Sequence, residues 1–311
     1  MIKLNFTKYK TLYVVFGIVC LYIGFVLFSD VAKISEHFLD MNFIFLLIII
    51  PIEICSFFIR SIRQKILLNQ IGINLSFVTN FKIYVAGLSM TVTPGGSGGV
   101  IKSHFLKKFF NHSNSKTLPL VLIERFHDFL AVVTIISLSL IFSYIWQSLV
   151  LVCVASIFLM IFYLIIRKNF LLENFLRKIK KIKLISKYVP TVEFNDSIMK
   201  LTNLKITLKS WLISIISWSI EIISFYYVFQ AFGLDLNLIE SGQLVYTSIL
   251  IGALSFLPGG IGFTEGSLIA LLVEFGYELS IVTAAVLMLR IVTVWFATSL
   301  GFVFTRSFLK N

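Results

Sequence analysis

Two glycine-rich motifs decide how this chain folds: Thr93-Pro94-Gly95-Gly96-Ser97-Gly98-Gly99 and Leu257-Pro258-Gly259-Gly260-Ile261-Gly262-Phe263. Both contain the pattern P-G-G-x-G, and each interrupts an apolar stretch, residues 77–110 and residues 242–275. Proline and glycine break a helix and leave backbone N–H and C=O groups without helical partners. We therefore predict that each stretch folds as two short helices joined at the motif, a broken helical hairpin.

The composition is that of a chain folded in lipid. Of 311 residues, 58% are hydrophobic and 14% are charged, whereas soluble domains are about half apolar and a quarter charged. A membrane-spanning helix needs about 20 apolar residues. Five or six blocks qualify, namely residues 11–29, 42–59, 118–144, 148–166, 211–232 and 281–304. The first block follows three lysines but is too long for a signal peptide and lacks a cleavage site, so we interpret it as a transmembrane helix.

Charge placement predicts the orientation. Lysine and arginine dominate the segments before residue 11, at 60–82, 102–116 and 167–209, and after 305. The segments 30–41, 231–241 and 274–280 hold one lysine and seven acids. The positive-inside rule then puts both termini in the cytoplasm of a cell-membrane protein. The net charge of +12 faces anionic lipid in this arrangement, so we do not expect a nucleic-acid partner.

The flanking charges also give the two hairpins opposite directions. Basic segments flank residues 77–110, whereas acidic ones flank residues 242–275. We predict an all-α polytopic bundle in which two re-entrant hairpins form an inverted repeat, as in many transporters. It is a single transmembrane domain over residues 1–311. Its parts are a first half at about 1–166, a basic cytoplasmic loop at 167–210, and a second half at about 211–305.

The motifs and the charges that follow them form the predicted substrate site. A helix that begins after a glycine run points its N–H groups at the break and favours an anion there. Ionisable groups inside a membrane usually mark a pathway or a partner pair. The predicted substrate-binding residues are Pro94, Gly95, Gly96, Ser97, Gly98, Glu124, Arg125, Asp128, Pro258, Gly259, Gly260, Gly262, Glu265 and Arg290.

The two arginines carry the sharpest hypothesis. Arg125 lies 31 residues after Pro94, and Arg290 lies 32 residues after Pro258. Arginine suits planar, multidentate contact with an anion, so the pair is predicted to clamp a phosphate or carboxylate. The alternative is a buried ion pair of Arg290 with an acid such as Glu265 or Glu221. The alternative for the glycines is close packing of helices.

Other polar residues receive structural interpretations. Glu53 is expected to be a structural partner rather than a proton carrier, and His127 a hydrogen-bonded histidine on a helix face. Each of Cys20, Cys55 and Cys153 lies in an apolar block, and no two have metal-ligand spacing. We therefore expect no disulfide, metal site or cofactor.

The sequences TPGGSGG and LPGGIGFTEG, with Ile-Glu-Arg at 123–125 and Leu-Arg at 289–290, resemble the lysylphosphatidylglycerol synthase transmembrane region, the flippase-like domain family. The resemblance runs from Arg60 to about Phe302. In its best-known members a soluble domain transfers a lysyl group to phosphatidylglycerol, and the membrane region is thought to flip the product. We expect no such soluble domain here. The resemblance thus implies a flippase that moves an anionic or aminoacylated phospholipid, or a polyprenyl-phosphate-linked sugar, rather than an enzyme.

Partners and alternatives follow from the same residues. Expected partners are the lipid or lipid-linked sugar, anionic lipid at the loop 167–210, and a second copy or a synthase. Ser97 also fits the G-x-S-x-G pattern of serine hydrolases, with His127 as base, but that motif needs a strand–turn–helix context. A membrane glycosyltransferase using the acids Asp30, Glu36 and Asp40, or an accessory subunit of cell-envelope synthesis, are the remaining alternatives.

Overall fold

The computed structural model describes residues 31–91, 98–142, 146–167, 192–255 and 257–310, and these ranges contain helices and no strand. The α-helices are α1 (Val31–Asp40), α2 (Leu46–Gln70), α3 (Phe77–Leu88), α4 (Gly98–Phe110), α5 (Asn114–Ser139), α6 (Trp146–Arg167), α7 (Val192–Leu201), α8 (Leu204–Ala231), α9 (Leu238–Leu254), α10 (Phe263–Glu274), α11 (Leu279–Arg290) and α12 (Phe296–Lys310). A 3-10 turn covers Pro258–Gly260, and a π-helical turn, Ile291–Trp295, joins α11 to α12.

Four helical stretches are long and apolar enough to cross a membrane: Phe43–Gln70, Ser148–Ile166, Leu204–Ala231 and Leu279–Phe308. Each coincides with a predicted block, which confirms a helical multi-pass membrane protein. The predicted block at 118–144 is α5, whose 26 residues make a helix of about 39 Å that carries three charges in its middle. The block at 11–29 lies outside the described residues.

One predicted boundary is wrong. The sequence suggested that the second block ends at residue 59 and that Arg60 opens a cytoplasmic loop. The structure continues α2 to Gln70 and buries Arg63, while Arg60 is mostly buried. The reason is that acidic groups on other helices pair with both arginines, which offsets the cost of taking their charge out of water.

Three segments meet at one end of the bundle. The backbone N–H of Asn42 donates to the carbonyl of Ala231 at 3.2 Å. Lys33 Nζ lies 3.0 Å from Glu278 Oε1. These contacts join the segments that the sequence marked as acidic. We call this the acidic end and define it by residues 31–45, 231–241 and 274–280.

The other end collects a second set of segments. Ser113 Oγ donates to Glu193 at 2.5 Å, which brings α7 to the start of α5. Ile73, Leu106 and Phe194 belong to one buried apolar cluster, so the end of α2 lies there too. We call this the basic end and define it by residues 71–76, 111–116 and 192–203.

Each pair of broken helices starts and finishes at one end of the bundle, and the two pairs use opposite ends. α3 begins at the basic end and α4 returns there, whereas α9 begins at the acidic end and α10 returns there. These helices have 12, 13, 17 and 12 residues. At 1.5 Å per residue they are about 18–26 Å long, shorter than the roughly 30 Å hydrocarbon layer. The first pair begins at Phe77 and ends at Phe110, and the second begins at Leu238 and ends at Glu274.

Corresponding helices of the two halves run antiparallel. α2 precedes the first hairpin and α8 precedes the second. Along their interface Ser56 bonds Glu221 at 3.0 Å, Arg60 bonds Ser217 at 2.8 Å, and Arg63 contacts Ser214. Residue numbers rise on α2 while they fall on α8. An inverted repeat requires this relation between equivalent elements.

A close backbone contact ties the first hairpin to the second half. Gly301 on α12 lies against the backbone of Ser89, just after α3, and an added Cβ would stand 2.1 Å from the Ser89 nitrogen. Thr305 Oγ1 also donates to the carbonyl of Ala86 at 3.3 Å. Small residues let membrane helices approach in this way.

We therefore expect Gly301→Ala to destabilise the protein, because its methyl group displaces the backbone of Ser89. Overpacking of this kind costs about 1–3 kcal/mol, which a thermal unfolding scan in detergent measures. Val303→Ile is the control, since Val303 is exposed on the same helix. Equal midpoints for the two variants would contradict the close contact.

Candidate functional site

A charged cavity lies between the two halves. Its empty volume is about 1080 Å³, counting the space at its open side. Residues of α2, α3, α4, α5, α8, α9, α11 and the π-helical turn line it, with Thr264 of α10. The charged lining residues are Arg60, Arg63, Lys102, Glu124, Arg125, Asp128, Glu221 and Arg290.

The α2–α8 interface supplies one wall. Arg60 Nη2 lies 2.6 Å from Glu221 Oε1, and both side chains are mostly buried. The Arg60 guanidinium also stacks over the Trp218 ring, 4.1 Å from its centroid. The hydroxyl of Ser56 donates to Glu221, and the hydroxyl of Ser217 accepts a hydrogen bond from Arg60 Nε. Such partners fix the position of a guanidinium that would otherwise be costly to bury.

A second network joins three helices. Arg63 Nη1 of α2 lies 2.5 Å from Asp128 Oδ1 of α5. The indole N–H of Trp218 on α8 donates to the same oxygen at 3.1 Å. Asp128 of α5 therefore connects α2 of the first half to α8 of the second half.

Each hairpin has one buried ion pair to the helix that follows it, with the charges reversed. Lys102 on α4 pairs with Glu124 on α5. In the second half Glu265 on α10 pairs with Arg290 on α11 at 2.7 Å. Lys102 and Glu265 occupy nearly equivalent positions, eight residues after Pro94 and seven after Pro258. The structural counterpart of the Arg290 pair is thus Lys102–Glu124.

The Arg290–Glu265 pair holds the Pro-Gly turn. Arg290 Nη2 donates to the carbonyl of Gly259 at 2.9 Å, and the N–H of Gly262 donates to Glu265 Oε2 at 2.7 Å. Gly260, with φ of 66°, packs against the backbone of Gly252. This pair therefore satisfies two of the backbone groups at the turn, the Gly259 carbonyl and the Gly262 N–H. Glu265 also occupies the N-terminus of α10, where an anion was predicted to bind.

Arg125 has a different environment. Its nearest carboxylate oxygen, Asp128 Oδ2, lies 3.8 Å away and its side chain is 47% exposed. The other cations of the lining each have a closer carboxylate, at 2.7 Å or less for Arg60, Arg63 and Arg290. Within the described lining, Arg125 is thus the cation most available to a ligand.

Only some of the predicted substrate-binding residues line the cavity. Glu124, Arg125, Asp128 and Arg290 line the cavity, and Pro258, Gly259, Gly260, Gly262 and Glu265 form the turn behind Arg290. Gly98 begins α4, while Pro94, Gly95, Gly96 and Ser97 lie outside the described residues.

The histidine expectation is not met. His127 is buried, and neither ring nitrogen has a hydrogen-bond partner among the residues that the structure describes. In the same residues there is no group of three or more His, Cys, Asp or Glu side chains that could hold a metal ion.

Sequence reasoning missed Arg60, Arg63, Lys102 and Trp218, all of which line the cavity. One feature of the sequence does predict a polar helix face at this cavity. Polar residues recur along α8 at spacings of four, three, four and three: Ser210, Ser214, Ser217, Glu221 and Ser224. All five are buried, so this spacing marks one helix face turned toward a polar interior.

A known protein family matches this sequence over nearly its whole length. The family model described as lysylphosphatidylglycerol synthase TM region matches residues 13–301. The chain belongs to that family. This confirms the resemblance carried by the two Pro-Gly-Gly motifs and identifies the chain as a membrane protein of the flippase-like type.

Relatives of this family member are called UPF0104 membrane proteins. One from Pyrococcus horikoshii is 26% identical over 83% of this chain and 85% of its own length. One from Methanothermobacter thermautotrophicus is 24% identical over 93% of this chain and 92% of its own length. A third, from Methanocaldococcus jannaschii, is 25% identical and is covered over 96% of its length.

We expect Arg290→Ala to lower the stability of the protein by about 3–5 kcal/mol, because it leaves Glu265 buried without its cation. Thermal unfolding in detergent measures the loss. Lys200→Ala is the matched control: it breaks the exposed Lys200–Asp196 pair, and such pairs contribute about 0–1 kcal/mol. An Arg290→Ala variant as stable as Lys200→Ala would show that this pair does not hold the turn.

Proposed function

We propose that this protein is a lipid flippase of the cytoplasmic membrane. Its substrate has a phosphate-bearing head group, as in an anionic or aminoacylated phospholipid or a polyprenyl-phosphate-linked sugar. The observation that carries this proposal is the charged cavity between two hairpins that enter the bundle from opposite ends.

The distribution of polar and apolar surface supports a lipid substrate. The outer faces of α2, α6, α8 and α12 expose apolar side chains such as Leu47, Ile157, Leu212 and Val303. The cavity lining instead carries five cations and three carboxylates. A polar head group fits the interior while its acyl or prenyl chains stay in the surrounding hydrocarbon.

The excess of cations favours an anionic head group. Arg125 is the cation that we assign to the first contact, because it is half-exposed and its nearest carboxylate oxygen, on Asp128, is 3.8 Å away. Its guanidinium presents several N–H donors in the geometry that phosphate oxygens accept. The paired cations Arg60, Arg63 and Arg290 line the deeper walls.

Alternating access follows from the inverted arrangement. We place the basic end in the cytoplasm, with both termini, because positive loops stay on that side. The first hairpin then dips from the cytoplasm and the second from outside. Rocking of one half against the other opens the shared cavity to each side in turn.

Transport is measured in proteoliposomes with fluorescent phosphatidylglycerol, an aminoacylated phospholipid and a polyprenyl-phosphate sugar in separate samples. We expect Arg125→Ala to slow movement of the preferred lipid at least about tenfold, the effect of losing one charge-assisted contact. Arg125→Lys should retain part of the rate, since it keeps the charge but not the planar donors.

Arg306→Ala is the control, because Arg306 is exposed at the end of α12 away from the cavity. If no lipid moves with the wild-type protein, the flippase proposal fails, and a role as glycosyltransferase or accessory subunit takes its place. If Arg306→Ala slows transport as much as Arg125→Ala, the assigned contact is wrong.

The orientation has its own test. In a background without cysteines, Asn69→Cys places a thiol near the basic end and Asp235→Cys one at the acidic end, both at exposed positions. We expect a membrane-impermeant maleimide to label residue 235 in intact cells and residue 69 only after permeabilisation. The reverse pattern would invert the assigned sides.

A further inference from the structure

Glu53 has no role in the site described so far. It lies on α2, its residue is 1% exposed, and its Oε1 has no hydrogen-bond partner among the described residues. Within the same part of the chain no lysine, arginine or histidine lies at ion-pair distance from it. Ser224 of α8 faces it.

We propose that Glu53 and Glu221 form a proton-binding site that couples proton movement to lipid movement. This inference rests on the proposed lipid transport. The proton resides on whichever carboxyl is not paired with Arg60.

Glu53 and Glu221 share one cation, Arg60, so one of the two carboxyl groups must carry a proton. Arg60 Nη2 lies 2.6 Å from Glu221 Oε1, and Ser56 Oγ donates to the same oxygen at 3.0 Å. The Oε1 atom of Glu53 has no hydrogen-bond partner among the described residues, and the group that interacts with the Glu53 carboxyl from α8 is the neutral hydroxyl of Ser224 rather than a cation. An ionised carboxylate buried without a cation is very costly, and a second carboxylate nearby makes it more so. Glu53 therefore holds the proton in this conformation.

Among the residues that the structure describes, the surroundings of Glu53 contain no second cation. It is faced by Glu221 of α8 and by Arg60 of its own helix, and Tyr246 of α9 is close enough to feel its charge. Tyr84 of α3 and Asp128 of α5 act on Arg60. Among the described groups around this site, Arg60 is the cation that both carboxyls share.

The position of Arg60 allows the exchange. Helix side chains tilt toward the N-terminus of their helix, so the Arg60 side chain leans back toward Glu53, two turns earlier on the same face. Its present partner lies on α8, the inverted counterpart of α2. Sliding of α2 against α8 when the halves rock changes which carboxyl Arg60 meets. When Arg60 moves to Glu53, that carboxyl releases its proton and Glu221 takes one up.

This exchange links the proton to the lipid because Arg60 and Glu221 both line the cavity. No covalent bond to the lipid changes. When Arg60 moves to Glu53, one proton passes from the Glu53 oxygen to the Glu221 oxygen. When Arg60 returns to Glu221, that oxygen releases the proton to water on one side of the membrane and Glu53 takes one up from water on the other side. The coupling therefore has a stoichiometry of one proton for each conformational cycle.

The first experiment measures protonation directly. The wild-type protein in detergent at neutral pH should show the infrared carbonyl stretch of a buried protonated carboxylic acid. Glu53→Gln should remove that band while the protein still unfolds at about the same temperature, because glutamine resembles the protonated glutamate in shape. Glu36→Gln, at an exposed position of α1, should leave the band unchanged. Persistence of the band in Glu53→Gln would overturn the proposal.

The second experiment measures coupling in proteoliposomes with whichever of the three labelled lipids the wild-type protein moves in the transport assay. A pH difference of one unit should shift the distribution of the lipid between leaflets by about tenfold for one proton per lipid, since one pH unit is a tenfold change in proton activity. Glu53→Gln should lose this response, and Glu36→Gln should keep it.

The outcomes separate the two proposals. If the wild-type protein moves no lipid, the proposed flippase function fails. If it moves lipid but the distribution ignores the pH difference, or if Glu53→Gln keeps the full response, the proton site is wrong and the flippase function stands.

Discussion

A charge inside an apolar bundle must have a partner, and this constraint organises the whole structure. Arg63 of α2 reaches Asp128 of α5, and Arg60 reaches Glu221 of α8. Breaking one such buried pair leaves an uncompensated charge and costs about 3–5 kcal/mol. The pairs therefore specify which helices meet and in what register, a task that apolar contacts between lipid-like surfaces perform poorly.

The same constraint explains how the second Pro-Gly turn persists in an apolar setting. Arg290 donates to the carbonyl of Gly259 in that turn, and Glu265 accepts from the N–H of Gly262. The first half has the equivalent pair with reversed charges, Lys102 and Glu124. The two ion pairs thus join equivalent helices of the two halves while the signs of the charges differ. This asymmetry leaves the N-terminal turn of α10 with its own carboxylate, whereas α4 has no acid in its first turn.

The sequence predicted what depends on local chemistry. A proline followed by glycines breaks a helix, and at the second motif α9 ends at Leu254 and α10 begins at Phe263, on either side of Pro258–Gly260. Arg60 and Arg63 were assigned to a loop because arginines after an apolar run usually leave the membrane. What keeps them inside is Glu221 and Asp128, which are distant in the chain and come close only through tertiary folding. Arg125 and Arg290 match in spacing, yet Arg290 is buried at 2.7 Å from Glu265, whereas Arg125 is half-exposed and lies 3.8 Å from Asp128.

Substrate binding at such a site is an exchange of partners rather than a simple gain of contacts. A phosphate that approaches Arg60 competes with a carboxylate 2.6 Å away, so most of the new interaction energy replaces an existing one. Arg125 differs, because its nearest carboxylate is 3.8 Å away and binding there displaces mainly solvent. A transporter must bind its substrate strongly enough to admit it and weakly enough to release it. In the proposed transport, paired cations behind one available cation meet both requirements, since Arg125 would attract the head group and the inner pairs would limit how tightly it is held.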